Sequence, residues 1–199
     1  MTAREALSWL KRRGSARNVD GMARFGITSP KAFGVSAEPM RELARKLGRH
    51  HDLAERLWNS GWHEARIVAS LVDEPACVTP AQMDRWARDF NNWAVCDSVC
   101  FHLFDRSPHA WKKAEQWSRR EAEFVKRAGF ALMAGLAVHD KVTVDPPFVR
   151  LLPIIERGAT DKRNFVKKAV NWALRQIGKR NLTLNAAAIA VARRPTRST

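Results

Sequence analysis

In this 199-residue sequence a carboxylate lies four positions after an indole, Trp93 followed by Asp97, and on a helix that spacing puts both on one side. An indole wall excludes water, so a carboxylate packed beside it sits in a lower dielectric. Arg127 is a second candidate. It interrupts an apolar stretch and, at 3.6 residues per turn, shares a face with Ala131, Ala134 and Val138. Small neighbours leave room for a bulky ligand, and the guanidinium fork suits a phosphate. Trp172 is the third, falling on one helical flank with Lys168, Arg175 and Lys179. Cations hold phosphates there while a flat ring packs on a sugar or base. Each also has a plainer reading: a solvated or capping aspartate, an arginine salt-bridged to a neighbouring helix, and a tryptophan covering the core edge.

Other chemistries fall away on spacing. His63-Glu64 opens like a zinc protease motif, but the second histidine position holds Ile67. Cys96, Cys100 and His102 lie close together, yet the only further cysteine is Cys77, and zinc requires about four convergent ligands. Cys96 and Cys100 instead read as buried thiols on an apolar helix face. No glycine cluster has the spacing of a phosphate-cradling loop, and no serine sits in a nucleophile elbow. We therefore expect no metal and no cofactor.

The elements that must carry these residues read as helices throughout. No segment sustains the period-two alternation of a half-buried strand, and tyrosine is absent. Helical spacing predicts about a dozen short helices, near 2–13, 15–25, 36–49, 50–59, 62–73, 79–90, 92–105, 107–118, 121–138, 147–156, 161–178 and 181–193. Thr2 with Glu5 and Ser118 with Glu121 fit capping boxes; Thr79-Pro80 with Gln82 and Ser107-Pro108 fit cap-proline starts. Lys141–Val144 running into Asp145-Pro146-Pro147 reads as a loop. One helix pair per roughly 33 residues is the spacing of a repeat array, with a globular orthogonal bundle as the alternative. The expectation is an all-α fold of about six antiparallel helix pairs, forming a single domain over residues 1–192 with a basic tail over 193–199.

The composition agrees with a polyanion partner. Lys and Arg number 35 against 20 Asp and Glu, a formal net charge of +15. That excess raises encounter rates with phosphate backbones without specifying any chemistry. The apolar run Phe130–Val138 is too short to cross a bilayer, the N-terminus lacks a signal-peptide pattern, and three cysteines do not suggest a disulfide framework. A monomer in a bacterial-type cytoplasm or nucleoid is expected, away from membranes.

The blocks Asn91-Asn92-Trp93-Ala94-Val95-Cys96-Asp97, Phe124-Val125-Lys126-Arg127 and Asn164-Phe165-Val166-Lys167-Lys168-Ala169-Val170-Asn171-Trp172 resemble the AlkD-type DNA alkylation repair family of DNA glycosylases. The likeness runs from about Gly26 to the last helix. It implies a superhelix of HEAT-like pairs with a concave basic face, and excision of N3- or N7-alkylated purines from duplex DNA without full base flipping. It also implies residue roles: Asp97 as the essential carboxylate, Trp93 and Trp172 as the aromatic pair against the lesion deoxyribose, Arg127 near the lesion backbone and Arg175 at a phosphate. The sequence departs from the family pattern at Ala94 and Ser98, positions that bear on lesion preference. Family members lacking the aspartate bind DNA without known excision. The rival readings are therefore a non-catalytic module for damaged or branched DNA and a scaffold for an acidic protein.

Overall fold

The computed structural model describes residues 1–194, and among these it is helical throughout, with no strand. Twelve α-helices appear, α1 Ala3–Lys11, α2 Ala16–Ala23, α3 Ala37–Leu47, α4 His51–Asn59, α5 His63–Val72, α6 Pro80–Arg88, α7 Trp93–His102, α8 Ala110–Trp117, α9 Glu123–His139, α10 Asp145–Gly158, α11 Asn164–Gly178 and α12 Leu182–Ala192, with a 3₁₀ turn at Phe104–Arg106. Two compact units divide the chain, Met1–Leu103 and the part from Phe104 onward. Of the expected tail, Arg193 and Arg194 are exposed, and 195–199 lie outside the described residues.

In the first unit α5 packs against α3, α4 and α7, and α1 also reaches α4 and α5. Apolar residues on more than one side of α5 explain its central place, with Ala65, Val68, Ala69 and Val72 fully buried. Trp58 of α4 and Trp86 of α6 stack at 4.0 Å between ring centroids, 2° from parallel. The α7 stripe read from sequence is buried as expected: Cys96, Val99, Cys100, Leu103 and Phe104.

In the second unit α9 is the central helix, packed against α8 and most extensively α11, with α10 and α12 completing the layer beside α11. Every residue from Arg127 to Ala137 is buried, as an all-round apolar helix requires. Close approach to α8 depends on Gly129, where an added Cβ would lie 2.4 Å from the Ser118 amide nitrogen.

Four local expectations are corrected. The helix expected over 92–105 stops at His102, because Leu103 leaves helical angles at φ −133° and ψ −62°, and the chain continues as the 3₁₀ turn. Ser118 does not start α9; α9 crosses over its backbone, and its hydroxyl donates to the Glu115 carbonyl at the end of α8. Ser107 accepts from the His109 amide instead of capping α8 directly, and α8 begins at Ala110. Asp145-Pro146-Pro147 is the first turn of α10, not a loop, since amides in a first turn have no intrahelical partner to lose. Elsewhere the caps hold: Thr2 and Glu5 form a reciprocal box, and Thr79 accepts from the Gln82 amide at 3.1 Å.

Candidate nucleic-acid interface

Trp93 is the first residue of α7, and its direction is set by contacts in the first unit. Asn92 caps the helix by accepting from the Val95 amide at 3.1 Å. The preceding residues are fastened by Asp89, whose carboxylate accepts from the Trp58 indole at 2.8 Å and pairs with Arg66 at 3.2 Å, while Arg66 also donates to the Asp89 carbonyl. The Trp93 indole then donates to the Phe25 carbonyl at 2.8 Å. Phe25 lies in the turn that ends α2 and is 72% exposed. Asp97 follows one turn along α7 and is half-buried beside the buried stripe.

The loop between α2 and α3 is held by a residue that the spacing of motifs did not reveal. Glu64, fully buried on α5, accepts from the amides of Phe33, Gly34 and Val35 at 3.1, 2.7 and 3.2 Å. Gly34 makes this possible: φ is 78°, and a Cβ would meet the Ser15 carbonyl oxygen at 2.2 Å. His63 beside it is also buried, which lowers its pKa. The only advance signals for Arg66 and Glu64 were charges on an apolar helix, the same kind of signal that singled out Arg127.

In the second unit Arg127 is 5% exposed and donates through Nη1 to the Phe165 carbonyl in the first turn of α11. The rings of Phe124 and Phe165 lie 5.4 Å apart next to this contact. Asp161 binds the same helix starts together, pairing with Lys126 at 3.0 Å and with Arg163 at 2.6 Å. Those hydrogen bonds, Arg163's first, hold its carboxyl well below the usual range. Arg127 is thus fixed against the helix that carries Trp172. Trp172 is half-buried and Lys168, Arg175 and Lys179 are exposed, as expected for an aromatic set among cations.

These residues sit on two units, with Trp93 and Asp97 in the first and Arg127, Trp172 and the α11 cations in the second. The arrangement within each can do complementary things. The first carries a carboxylate beside an anchored indole, suited to a cationic centre, and the second a basic helix face suited to a phosphate backbone, whereas the small residues beside Arg127 are buried in packing and leave no room there for a ligand.

The helical architecture defines a HEAT-like repeat fold: a solved structure from a family described as related to the HEAT-like repeat DNA glycosylases, with affinity for branched DNA structures, matches with a TM-score of 0.85 over 96% of this chain and 82% of that one, at 22% identity. The family model of DNA alkylation repair enzymes matches residues 6–199, and the chain belongs to that family. No curated protein matches the sequence.

Proposed function

We propose that this protein is a DNA glycosylase that excises cationic N3- or N7-alkylated purines, 3-methyladenine and 7-methylguanine among them, from duplex DNA. It uses Asp97 with Trp93, Arg127 and Trp172, acts as a monomer, and needs no metal or cofactor. The observation that carries the reading is Asp97, one turn along α7 from an indole whose N–H is fixed on the Phe25 carbonyl.

An alkylated purine of this class already carries positive charge. When the bond from C1′ to the purine nitrogen breaks, its electron pair neutralises the base, which leaves without a proton from the enzyme. The charge that develops is an oxocarbenium on the sugar, and a nearby carboxylate stabilises it electrostatically. Water adds to C1′ and its proton passes to Asp97 or to solvent, leaving an abasic sugar and a free neutral base. Trp93 and Trp172 would pack against the deoxyribose and exclude bulk water, while Arg175 would hold the flanking backbone and Arg127, braced on the Phe165 carbonyl, would lie near it. None of these steps requires the base to be flipped into a pocket.

The test is release of 7-methylguanine and 3-methyladenine from methylated duplex DNA. Wild type is expected to release both, and Asp97→Asn to lose at least about 100-fold in single-turnover rate, in the range for removal of a preorganised charge-stabilising group, while still binding DNA. A second reading is a non-catalytic module for damaged or branched DNA, favoured by the branched-DNA affinity stated for the structural neighbour. Intact binding by wild type with no release would establish that reading over the glycosylase. Equal release by both proteins would remove Asp97 from the mechanism.

A further inference from the structure

The faces of α9 and α11 that carry Arg127 and Trp172 continue beyond those residues to a recess at the C-terminal ends of both helices. The recess is about 370 Å³ and is lined by Val138, Lys141, Gln176, Lys179 and Arg180. On α11, at 100° per residue, Gln176 and Lys179 fall within about 40° of Trp172. On α9, Val138 falls on the face of Arg127 by the same count.

The three cations of the recess do different work. Arg180 is committed to the fold: its guanidinium donates to the carbonyls of Ala137, Asp140 and Thr143 at 3.0, 2.6 and 3.0 Å and lies 3.9 Å from the centre of the Phe148 ring. It thereby offsets the negative end of the α9 dipole and fixes the loop that presents Lys141. Lys141 and Lys179 are exposed, and neither has a carboxylate partner among the described residues. The nearby acids are occupied elsewhere. Asp140 accepts from the Val142 and Thr143 amides and the Thr143 hydroxyl, and Asp145 accepts from Asn181. Two ammonium groups without an ion-pair partner among the described residues and a neutral amide on one rim make a candidate anion site.

We propose that this recess is a phosphodiester-binding site of the DNA interface, with Lys141 and Lys179 on one backbone phosphate and Gln176 as a neutral donor. The proposal rests on the reading of the protein as a DNA-binding enzyme and adds Lys141 and Gln176 to its contacts. Seven residues at 1.5 Å separate Trp172 from Lys179, about 10 Å. At 3.4 Å per nucleotide along a strand, the phosphate concerned lies within about three nucleotides of the one beside Trp172.

The experiment is fluorescence anisotropy of wild type, Lys141→Gln, Lys141→Gln/Lys179→Gln and the charge-matched control Lys11→Gln/Lys112→Gln on one 20-base-pair duplex over a series of salt concentrations. Each neutralised phosphate contributes about 0.9 to the slope of log affinity against log salt. The recess pair is expected to flatten that slope by about one and to weaken binding roughly three- to tenfold at about 0.1 M salt. Lys141→Gln alone should give part of that change, and the control clearly less. Equal changes in both pairs, or none in the recess pair while wild type binds, overturn the recess and leave the glycosylase reading standing. A wild type with no salt-dependent DNA affinity overturns both. Exposed lysines place no demand on folding, and matching thermal melts verify this.

Discussion

Glu64 is a buried carboxylate with no Lys or Arg ion pair among the described residues, and it is stable there because three consecutive amides of the α2–α3 loop converge on it. Glu64→Gln removes the charge and turns one of two acceptor oxygens into a donor facing the Phe33 amide, which currently donates to both oxygens. A cost of about 3 kcal/mol is expected, a charged hydrogen-bond set replaced by a partly unsatisfied one, and a melting point lower by about 10 °C. Urea denaturation measures it; a change within about 0.5 kcal/mol would mean the loop is held by other contacts. Residues of this kind are where the sequence was least readable. Glu64 meets amides about 30 positions earlier, and no local spacing encodes such a pairing. Asp97, Trp93 and Trp172 stood out because each breaks a helical pattern within its own turn. Arg127 stood out in the same way, but its bond to the Phe165 carbonyl is a tertiary contact that no single-helix projection contains.

At the scale of elements, several helix starts were legible from a local signal. Thr2 and Thr79 cap as read, and Asn92 and Asn181, which the sequence reading did not single out, also cap with their own side chains. They failed where packing decides: Ser118 satisfies a capping pattern but lies under α9, and α10 begins at Asp145 because proline is tolerated in a first turn. The α4 start shows how a tertiary partner can also bring a pH dependence. His51 Nδ1 lies 2.6 Å from Asp73, which is buried and also accepts from Gln82 at 2.6 Å and from the Glu74 amide at 2.7 Å. The Asp73 hydrogen bond raises the His51 pKa above its ordinary 6.5, against an opposing effect of burial. A raised folded pKa gives stability that is complete below about pH 6.5 and is lost as pH rises through the folded value. His63, lowered by burial, has the opposite sign and loses stability as pH falls. The stability difference between wild type and His51→Gln is therefore expected to be largest below pH 6.5 and to shrink as the medium becomes alkaline, measured by urea denaturation across pH 5.5 to 8.5. A difference independent of pH would show that the imidazolium charge contributes nothing.

At the scale of the whole molecule, a net charge of +15 draws the chain to DNA and at the same time opposes the approach of a cationic base. A glycosylase of this composition must therefore offset the lesion's own charge locally, and the proposed Asp97 site does so while leaving the leaving group without a general acid. In the proposed mechanism that combination would make lesion charge, more than lesion shape, the basis of selection. A purine that is neutral before bond cleavage departs as an anion unless protonated, and a missing general acid costs about 10² to 10⁴ in rate. Duplexes carrying hypoxanthine are accordingly expected to be cleaved at least about 100-fold more slowly than those carrying 7-methylguanine in single-turnover assays, with comparable binding. Lowering the pH should raise the hypoxanthine rate toward the other, because solvent then supplies the proton that the proposed mechanism does not. Similar rates for the two bases at neutral pH would show that a proton donor exists in the site, and the chemistry assigned to Asp97 alone would have to be replaced by a two-group mechanism.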